Sequence, residues 1–450
     1  RLYGTWSGIG RIDEILGEYL KRDLESGAVT MDEAREFLAS FWIKGCEWIQ
    51  KDTPAGSGDA QHYQNIVLAG IDKDGNEITN EVTYLVLDIV EELGISDFPI
   101  SVRISPASPP RLLRRVAQVM RHGGGVVAVY NEPLILFFYS PFDCLQLLLE
   151  DTLRLSAEEP AHFSSMEDLY AAFYKNLKAE MERIYQERIS TAEIEATGHG
   201  WYRDADTPCS VASLFEEGCI ESGCSYLMGG PVYSVLSPHI GGAPDAGNSL
   251  YAIQKLVFEE QKVTFDELMQ ILKQNWDGQE LLRQYVKNRY TYYGNDNDES
   301  DAYTVRIYND FADLVLAMDG RGPIRFVPGV STFGRQIEWA PIRAAVPFGY
   351  KKGEILSGNA SPTPGTDAEG ATAIIKSYCK ADLKKQVNGA ALDVKLHPSC
   401  VEGENGIAAL VALMQGFVTL GGSFLQLDVM DAEILRRAQE DPPWTKNGSR

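Results

Sequence analysis

The sequence lacks the long apolar segment that a membrane-spanning helix needs, which is about 18 residues. Its most apolar stretch, from Val126 to Tyr139, is interrupted by Asn131, Glu132 and Pro133. No signal peptide is visible, and the first residue is an arginine. We therefore expect a soluble cytoplasmic protein that has no membrane partner.

Positive charge is also scarce. The 450 residues contain 41 Lys and Arg against 64 Asp and Glu, and the formal net charge is −23. A surface of this sign repels the phosphates of nucleic acids and of anionic lipids. Nucleic acid is therefore excluded as a partner. The chain is long enough, and with 44% hydrophobic residues apolar enough, to fold around a sizeable core.

Familiar metal and nucleotide motifs are missing. The six His form neither an HExxH nor an HxH pair, and the seven Cys include no CxxC pair. The sequence therefore predicts no metal site, and its cysteines are those of a reduced cytosolic protein. The glycine-rich strings GxGxxG and GxxxxGKS or GxxxxGKT are absent as well, which removes the usual reason to propose a bound nucleotide.

What is present is the apolar periodicity of an α/β fold. Helices are predicted from apolar stripes at Val82–Val90, Leu112–Met120 and Leu169–Ile184. Two short β-branched segments, Ile100–Ile104 and Val126–Val129, predict parallel strands joined by helices. The second half is predicted to contain helices at Leu250–Val257, Phe265–Leu272, Ile407–Phe417 and from about Asp431, a loop at Ser357–Gly370, and a strand with one apolar face at Leu425–Val429. We expect one large α/β domain.

A thiol and a carboxylate lie two residues apart in the string EEGCIESGCSYLMGG, from Glu216 to Gly230. In an extended loop, residues i and i+2 point to the same side. Cys219 and Glu221 are therefore candidate catalytic residues that could share one cavity. The alternative is a buried Cys beside a solvated Glu, and the residues alone favour that interpretation.

A second polar string, YYGNDNDESD, runs from Tyr292 to Asp301. Clustered Asp and Asn side chains are typical of calcium sites, since that ion prefers oxygen ligands. The order of the residues does not match an EF-hand loop, so a capped and solvated turn is the favoured interpretation.

Six longer strings occur in a fixed order along almost the whole chain. They are GIDKDGNEITNEVTYLVLD, PISVRI, GGGVVAVYNEPLI, YGNDNDESD, SGNASPTPGTDAEGATAIIKS and GGSFLQLDVMDAEILRRAQEDP. This series resembles the glycyl radical enzymes, the superfamily of pyruvate formate-lyase, diol dehydratases and arylacetate decarboxylases.

The resemblance implies a ten-stranded α/β barrel, made of two parallel five-stranded half-sheets set antiparallel and surrounded by helices, as a single domain over residues 1–450. It implies a radical lyase in which a cysteine thiyl radical starts the cleavage of a C–X or C–C bond. The radical is stored on a glycine and installed by a radical S-adenosylmethionine activating enzyme, with no other bound cofactor. A small-molecule substrate and a homodimer are also implied.

The sequence departs from the family pattern at three places. No Gly-Cys-X-Glu loop stands between Leu136 and Phe137, a turn of the family is missing between Gly349 and Tyr350, and no glycine-radical motif follows Pro442. The GCIE string at Cys219 resembles a later family segment, so Cys219 is not expected to carry the thiyl radical.

We expect that the printed sequence omits these stretches, including the C-terminal glycyl radical domain. Leu136 and Phe137 should then lie further apart than one peptide step of about 3.8 Å. The alternative is a chain that truly lacks both radical loops and acts as a catalytically inactive barrel that binds a partner or a small molecule.

By position in the family, the candidate substrate-binding residues are Arg103, Asn131, Glu132, Phe138 and Tyr139. The aromatic residues among them favour a larger or aromatic substrate over glycerol, because they offer apolar area and few polar partners. The alternative is that these aromatic side chains only pack the barrel wall.

Overall fold

The computed structural model describes most of the chain. The described residues are 9–45, 65–72, 74–94, 99–123, 127–131, 145–148, 163–188, 213–214, 216–225, 229–233, 235–320, 324–332, 334, 336–431, 433–434 and 436–437. No helix in these ranges has the length and the hydrophobicity needed to cross a bilayer.

The α-helices within these ranges are α1 Ile12–Ser26, α2 Met31–Gly45, α3 Glu81–Leu93, α4 Pro110–Met120, α5 Met166–Arg188, α6 Cys219–Ser222, α7 Ala243–Ile253, α8 Phe265–Lys273, α9 Glu280–Arg289, α10 Asp298–Leu316, α11 Gln336–Trp339, α12 Ala371–Cys379 and α13 Gly403–Thr419. A π-helical turn, Gln254–Glu259, directly extends α7.

The strands within these ranges are β1 Gly10–Arg11, β2 Ile66–Ala69, β3 Ile100–Ile104, β4 Val127–Asn131, β5 Leu145–Leu148, β6 Val235–Leu236, β7 Pro238–Gly241, β8 Arg325–Phe326, β9 Gly329–Val330, β10 Ala391–Leu396 and β11 Phe424–Val429. They form a six-stranded sheet in the order β1-β2-β3-β4-β11-β10, a three-stranded sheet β5-β7-β9 and a two-stranded sheet β6-β8.

The chain divides into two compact units. The terminal unit contains Gly4–Ile135 and Leu392–Arg450, and the central unit contains Arg1–Tyr3 and Leu136–Ala391. Each unit is described by itself. The single domain expected over residues 1–450 stays a prediction.

In the terminal unit, β1 to β4 are parallel and β11 runs antiparallel to β4. The three strands predicted from the sequence, β3, β4 and β11, lie side by side in this sheet, so that prediction is confirmed. The described residues contain this sheet and the two smaller ones but no closed ring of ten strands.

The six-stranded sheet has two different faces, because successive side chains of a strand point to opposite sides. One face is apolar and buried, with Leu68, Val102, Val129 and Leu425 fully covered. The predicted stripes of α3 and α4 are also buried, and α4 packs against β4, β11 and α13. The opposite face carries polar side chains.

Asp13 connects three elements of the terminal unit, α1, β2 and α3. Its buried carboxylate accepts hydrogen bonds from the backbone N–H of Ala69 (2.7 Å) and from the hydroxyl of Thr83 (2.7 Å). Asn80 caps α3 and also donates to the backbone carbonyl of Asp13. The carboxylate thus fixes α1 against the end of β2 and the start of α3, although burial raises the pKa of Asp13.

In the central unit, a buried carboxylate fixes the predicted Gly- and Pro-rich loop. Asp245 on α7 accepts hydrogen bonds from the hydroxyls of Ser357 and Thr363, both at 2.6 Å. Burial raises the pKa of Asp245, and the nearby guanidinium of Arg343 opposes that shift. The loop is confirmed as a loop, and α7 holds its first half in place.

The string Tyr292–Asp301 is a capped turn, as predicted. Asn297 caps α10 and accepts hydrogen bonds from the N–H groups of Glu299 and Ser300, both at 3.1 Å. Asp296, Asp298 and Glu299 are exposed, so the middle of the string is solvated as predicted. Asp301 differs, because it is fully buried and pairs with Lys380 at 2.7 Å, which compensates the buried charge.

Two of the junctions where family segments are missing lie inside the chain, at Leu136–Phe137 and at Gly349–Tyr350. Leu136 and Phe137 lie outside the described residues, so the predicted separation between them stays a prediction. At Gly349, by contrast, the chain makes a closed turn, in which the Gly349 N–H donates to the Val346 carbonyl and the Val346 N–H donates to the Tyr350 carbonyl. The printed residues thus form a turn of their own, and the omission of a family segment between Gly349 and Tyr350 stays a prediction.

His239, on β7, is buried in the core of the central unit. Its Nδ1 lies 2.5 Å from the Ser331 hydroxyl, and its Nε2 lies 2.6 Å from the side-chain nitrogen of Asn388. Because the side-chain nitrogen of Asn388 can only donate, Nε2 is the acceptor and Nδ1 carries the proton. Burial lowers the pKa of His239 to about 4, so the ring is neutral in the folded protein.

This shift predicts how stability depends on pH. The unfolded chain binds a proton at His239 near pH 6.5, whereas the folded chain does so only near pH 4. The stabilisation is complete above pH 6.5 and is lost as the pH falls, by about 1.4 kcal/mol per pH unit in this window. Urea denaturation of the wild type and of His239→Gln at several pH values measures the difference. The exposed His397→Gln variant is the control, and equal slopes for wild type and His239→Gln would contradict the assignment.

Candidate functional site

The polar face of the six-stranded sheet carries a row of three side chains near the carboxyl ends of its parallel strands. Arg103 on β3 is in register with Tyr130 on β4, and Tyr130 is in register with Phe424 on β11. The rings of Tyr130 and Phe424 meet edge to face, with centroids 4.8 Å apart. A guanidinium, a phenol and an aromatic ring are thus fixed next to one another, and we call them the Arg103 row.

A second row lies further from the carboxyl ends. It contains Ser101, which is in register with Ala128, and Gln426 on β11. The Ser101 hydroxyl donates to the Asn65 side chain at 2.9 Å, and Ser101 is also hydrogen-bonded to Tyr130. Burial raises the pKa of Tyr130, so its phenol stays protonated at neutral pH.

A carboxylate of altered acidity occurs on the same face. Asp428 on β11 lies beyond Gln426, away from Phe424 and the Arg103 row, because β11 runs antiparallel to β4. Burial raises its pKa, and the charge of Lys395 lowers it. The face therefore carries a cation near one end and a carboxyl group near the other.

Asn131, another predicted substrate residue, lies on the other face of the sheet from Arg103. Asn131 alternates with Tyr130 and thus lies on the buried face, where its side-chain nitrogen donates to the Val418 carbonyl at 3.3 Å. Its own N–H donates to the Ser423 carbonyl at 3.1 Å. Asn131 therefore joins β4 to the α13–β11 connection, and this geometry does not support a substrate contact.

Three further predicted residues, Glu132, Phe138 and Tyr139, lie outside the described residues. Their assignment to substrate binding stays a prediction. Tyr130 and Phe424 were not predicted as site residues, although both lie within the family strings. Only strand register shows that these two rings and Arg103 form one row.

The Cys219–Glu221 segment is not extended. It forms the short helix α6, and residues i and i+2 of a helix do not share a face. Cys219 is therefore buried at 4% exposure, while the Glu221 side chain is exposed and accepts a hydrogen bond from the Gly218 N–H at 3.1 Å. The favoured interpretation, a buried Cys beside a solvated Glu, is therefore confirmed. The alternative, in which both side chains face one cavity, required an extended loop, and the chain coils at this point.

The glycines around α6 are required by close packing. A Cβ at Gly218 would lie 2.8 Å from the Val232 nitrogen, and the positive φ of 95° at Gly218 already disfavours other residues. A Cβ at Gly230 would lie 2.8 Å from the Cys219 sulfur. The thiol of Cys219 thus packs against backbone, and burial raises its pKa.

The capping bond of Glu221 gives a stability prediction. Glu221→Gln keeps an oxygen that can accept from Gly218, whereas Glu221→Ala leaves that N–H without its acceptor. We expect the Ala variant to lose about 0.5–1.5 kcal/mol of unfolding free energy, and the Gln variant to lose much less. Chemical denaturation measures both, with Glu217→Ala, an exposed neighbour, as the control. Equal losses for Gln and Ala would show that the bond has no role.

The same pair of variants addresses catalysis. A proton-transfer role for Glu221 predicts that turnover of the Gln variant falls by about 10²–10⁴. The exposed position of the carboxylate instead leads us to expect unchanged turnover, and a large fall would return Glu221 to the catalytic residues.

Comparison with known proteins identifies the family. The pyruvate formate lyase-like family matches residues 3–138 and 149–339, and the glycine radical family matches residues 356–447. The second match covers a segment of the printed chain, although no Arg-Val-X-Gly motif followed by an aromatic residue occurs after Pro442.

Two curated relatives agree with this family assignment. Trans-4-hydroxy-L-proline dehydratase of Clostridioides difficile is 27% identical over 96% of this chain and 60% of its own length. Isethionate sulfite-lyase of Nitratidesulfovibrio vulgaris is 25% identical over 99% of this chain and 59% of its own length. The chain therefore spans about 60% of the length of these curated relatives.

A solved structure shows the same fold. Hydroxyproline dehydratase from C. difficile, with trans-4-hydroxy-L-proline bound, superposes with a TM-score of 0.87 at 27% identity, over 97% of this chain and 60% of that one. The α/β fold class implied by the resemblance is confirmed. With the family matches covering well over half of its residues, the chain belongs to the pyruvate formate lyase-like family of glycyl radical enzymes.

Proposed function

We propose that the protein containing this chain is a radical lyase that cleaves a C–X or C–C bond of a small organic acid. Family membership supports the reaction class, and the relatives named above include a dehydratase and a sulfite-lyase. The Arg103 row is the observation that carries the substrate class. The substrate and the type of bond cleaved belong to this proposal.

The Arg103 row suits a small anion with an apolar part. A guanidinium presents a planar set of donors that matches a carboxylate or a sulfonate. The neighbouring rings of Tyr130 and Phe424 offer apolar area beside it. Ligands of parallel sheets bind beyond the carboxyl ends of the strands, which is where the row lies.

The names of the relatives agree with this substrate class. Hydroxyproline carries a carboxylate and isethionate carries a sulfonate, and both are small. We therefore propose that Arg103 holds the acidic group and that the rings of Tyr130 and Phe424 pack against the rest of the substrate. The preference for an aromatic substrate, expected from Phe138 and Tyr139, is not needed for this proposal.

The glycyl radical is not assigned to a residue of this chain. A radical of this kind supplies the hydrogen-atom abstraction that a side-chain base cannot perform. The carrier motif is absent from the printed sequence, so the residues present do not identify its position.

We propose that a radical S-adenosylmethionine enzyme is the activating partner, and that the protein is a cytoplasmic homodimer.

A second candidate function is a catalytically inactive barrel that binds small acids. The absence of a Gly-Cys-X-Glu string between Leu136 and Phe137 favours it. Both candidates use the Arg103 row for binding, and they differ in whether a radical forms.

Ligand binding tests the Arg103 row. We expect isethionate and trans-4-hydroxy-L-proline to raise the melting temperature of the chain, because a ligand that binds the folded state stabilises it. Arg103→Gln should abolish this rise, and Arg103→Lys should keep part of it. Arg111→Gln removes the same charge from the exposed surface of α4 and is the control. An equal rise in Arg103→Gln, or a larger rise with neutral glycerol, would contradict the proposal.

Electron paramagnetic resonance separates the two functions. The complete gene product, activated without oxygen by the radical S-adenosylmethionine enzyme, should show the doublet of a glycyl radical. Absence of the signal while isethionate or trans-4-hydroxy-L-proline still binds would favour the inactive barrel.

A further inference from the structure

The end of α6 brings two cysteines into one turn. Gly223, with a φ of 66°, ends the helix in the left-handed conformation, and its N–H donates to the Ile220 carbonyl at 3.3 Å. At helix ends of this type, the residue after the glycine and the residue that begins the last turn are frequently neighbours. Here Cys224 and Cys219 occupy those two positions.

Two further contacts fix this geometry. The Ser222 hydroxyl donates to the Cys219 carbonyl and accepts from the Cys224 N–H, each at 3.3 Å, so one side chain links both cysteine backbones. The space beside Gly230 is bordered by both cysteines as well. A Cβ at that glycine would lie 2.8 Å from the Cys219 sulfur and 2.1 Å from the Cys224 carbonyl oxygen.

The two thiols differ in accessibility. Cys219 is 4% exposed, whereas Cys224 is only partly buried. An oxidant from solvent therefore reaches Cys224 first, and Cys219 is the neighbouring thiol that can react next. Burial raises the pKa of Cys219, and the charge of Glu216 adds to this rise.

We propose that Cys219 and Cys224 are a redox modification site that closes to an intramolecular disulfide when the protein meets a peroxide. Hydrogen peroxide oxidises the Cys224 thiol to a sulfenic acid and is reduced to water. The Cys219 thiol then gives up its proton to solvent and attacks the Cys224 sulfur; the S–S bond forms and hydroxide leaves, so that proton and hydroxide make water. The fold favours this pair because a Cβ at Gly230 would lie 2.8 Å from both the Cys219 sulfur and the Cys224 carbonyl carbon, so both cysteines border one small space.

This inference goes beyond the proposed function and does not rest on it. It concerns a loop of the central unit, whereas the Arg103 row belongs to the terminal unit. Its test requires neither the radical nor a substrate.

Peptide mapping tests the pair. The folded chain is treated with hydrogen peroxide, free thiols are alkylated, and a protease that cuts after glutamate separates Cys219 from Cys224 at Glu221. We expect two peptides joined by a disulfide, released by reduction. The partly buried Cys379 and the exposed Cys400 should remain outside that pair. Alkylation of both Cys219 and Cys224 after peroxide treatment, or a bond from Cys224 to another cysteine, would overturn the proposal.

Two variants separate geometry from simple reactivity. Cys224→Ser should leave Cys219 reduced under the same treatment, because the accessible thiol is gone. Gly223→Ala keeps both cysteines but strains the left-handed helix end, so the bond should form several-fold more slowly. Denatured chain treated in urea should give mixed pairs, and a pair that forms equally well in urea would contradict a role of the fold.

Discussion

The alternation of side chains along paired strands is the constraint on which the terminal unit depends. Because register is fixed across β3, β4 and β11, a residue that faces the helices on one strand places its neighbour on the opposite face of the sheet. Val102, Val129 and Leu425 are buried in this way, while Arg103, Tyr130 and Phe424 form a row on the other face. A shift of one residue would exchange the two faces and remove both the core and the row.

Buried carboxylates hold the irregular segments of each unit. Asp13 joins α1, β2 and α3, and Asp245 fixes the loop that begins at Ser357. Both groups have raised pKa values because burial disfavours their charge, yet each accepts several hydrogen bonds. Such groups keep loops in one conformation, since removing the acceptor would leave buried donors unsatisfied.

The sequence was sufficient for the elements whose pattern is local. The stripes of α3, α4 and α5 and the strands β3, β4 and β11 follow from spacing alone, and the ordered strings implied the family. Contacts between distant residues were not accessible. The buried face on which Asn131 lies is defined by strand pairing, and its role in substrate binding stays a prediction. The short helix that separates the Cys219 and Glu221 side chains depends on close packing around Gly218 and Gly230. Lys380, which lies 79 positions after Asp301, explains how that one carboxylate of the turn can be buried.

The central claim is that the Arg103 row is the substrate-binding surface of this glycyl radical enzyme family member. The most direct measurement is a crystal structure of the protein with isethionate or trans-4-hydroxy-L-proline. The account predicts that the sulfonate or carboxylate oxygens lie about 2.7–3.2 Å from the Arg103 guanidinium, with the rest of the molecule against Tyr130 and Phe424. A ligand bound elsewhere, with Arg103 making no contact to it, would contradict the account.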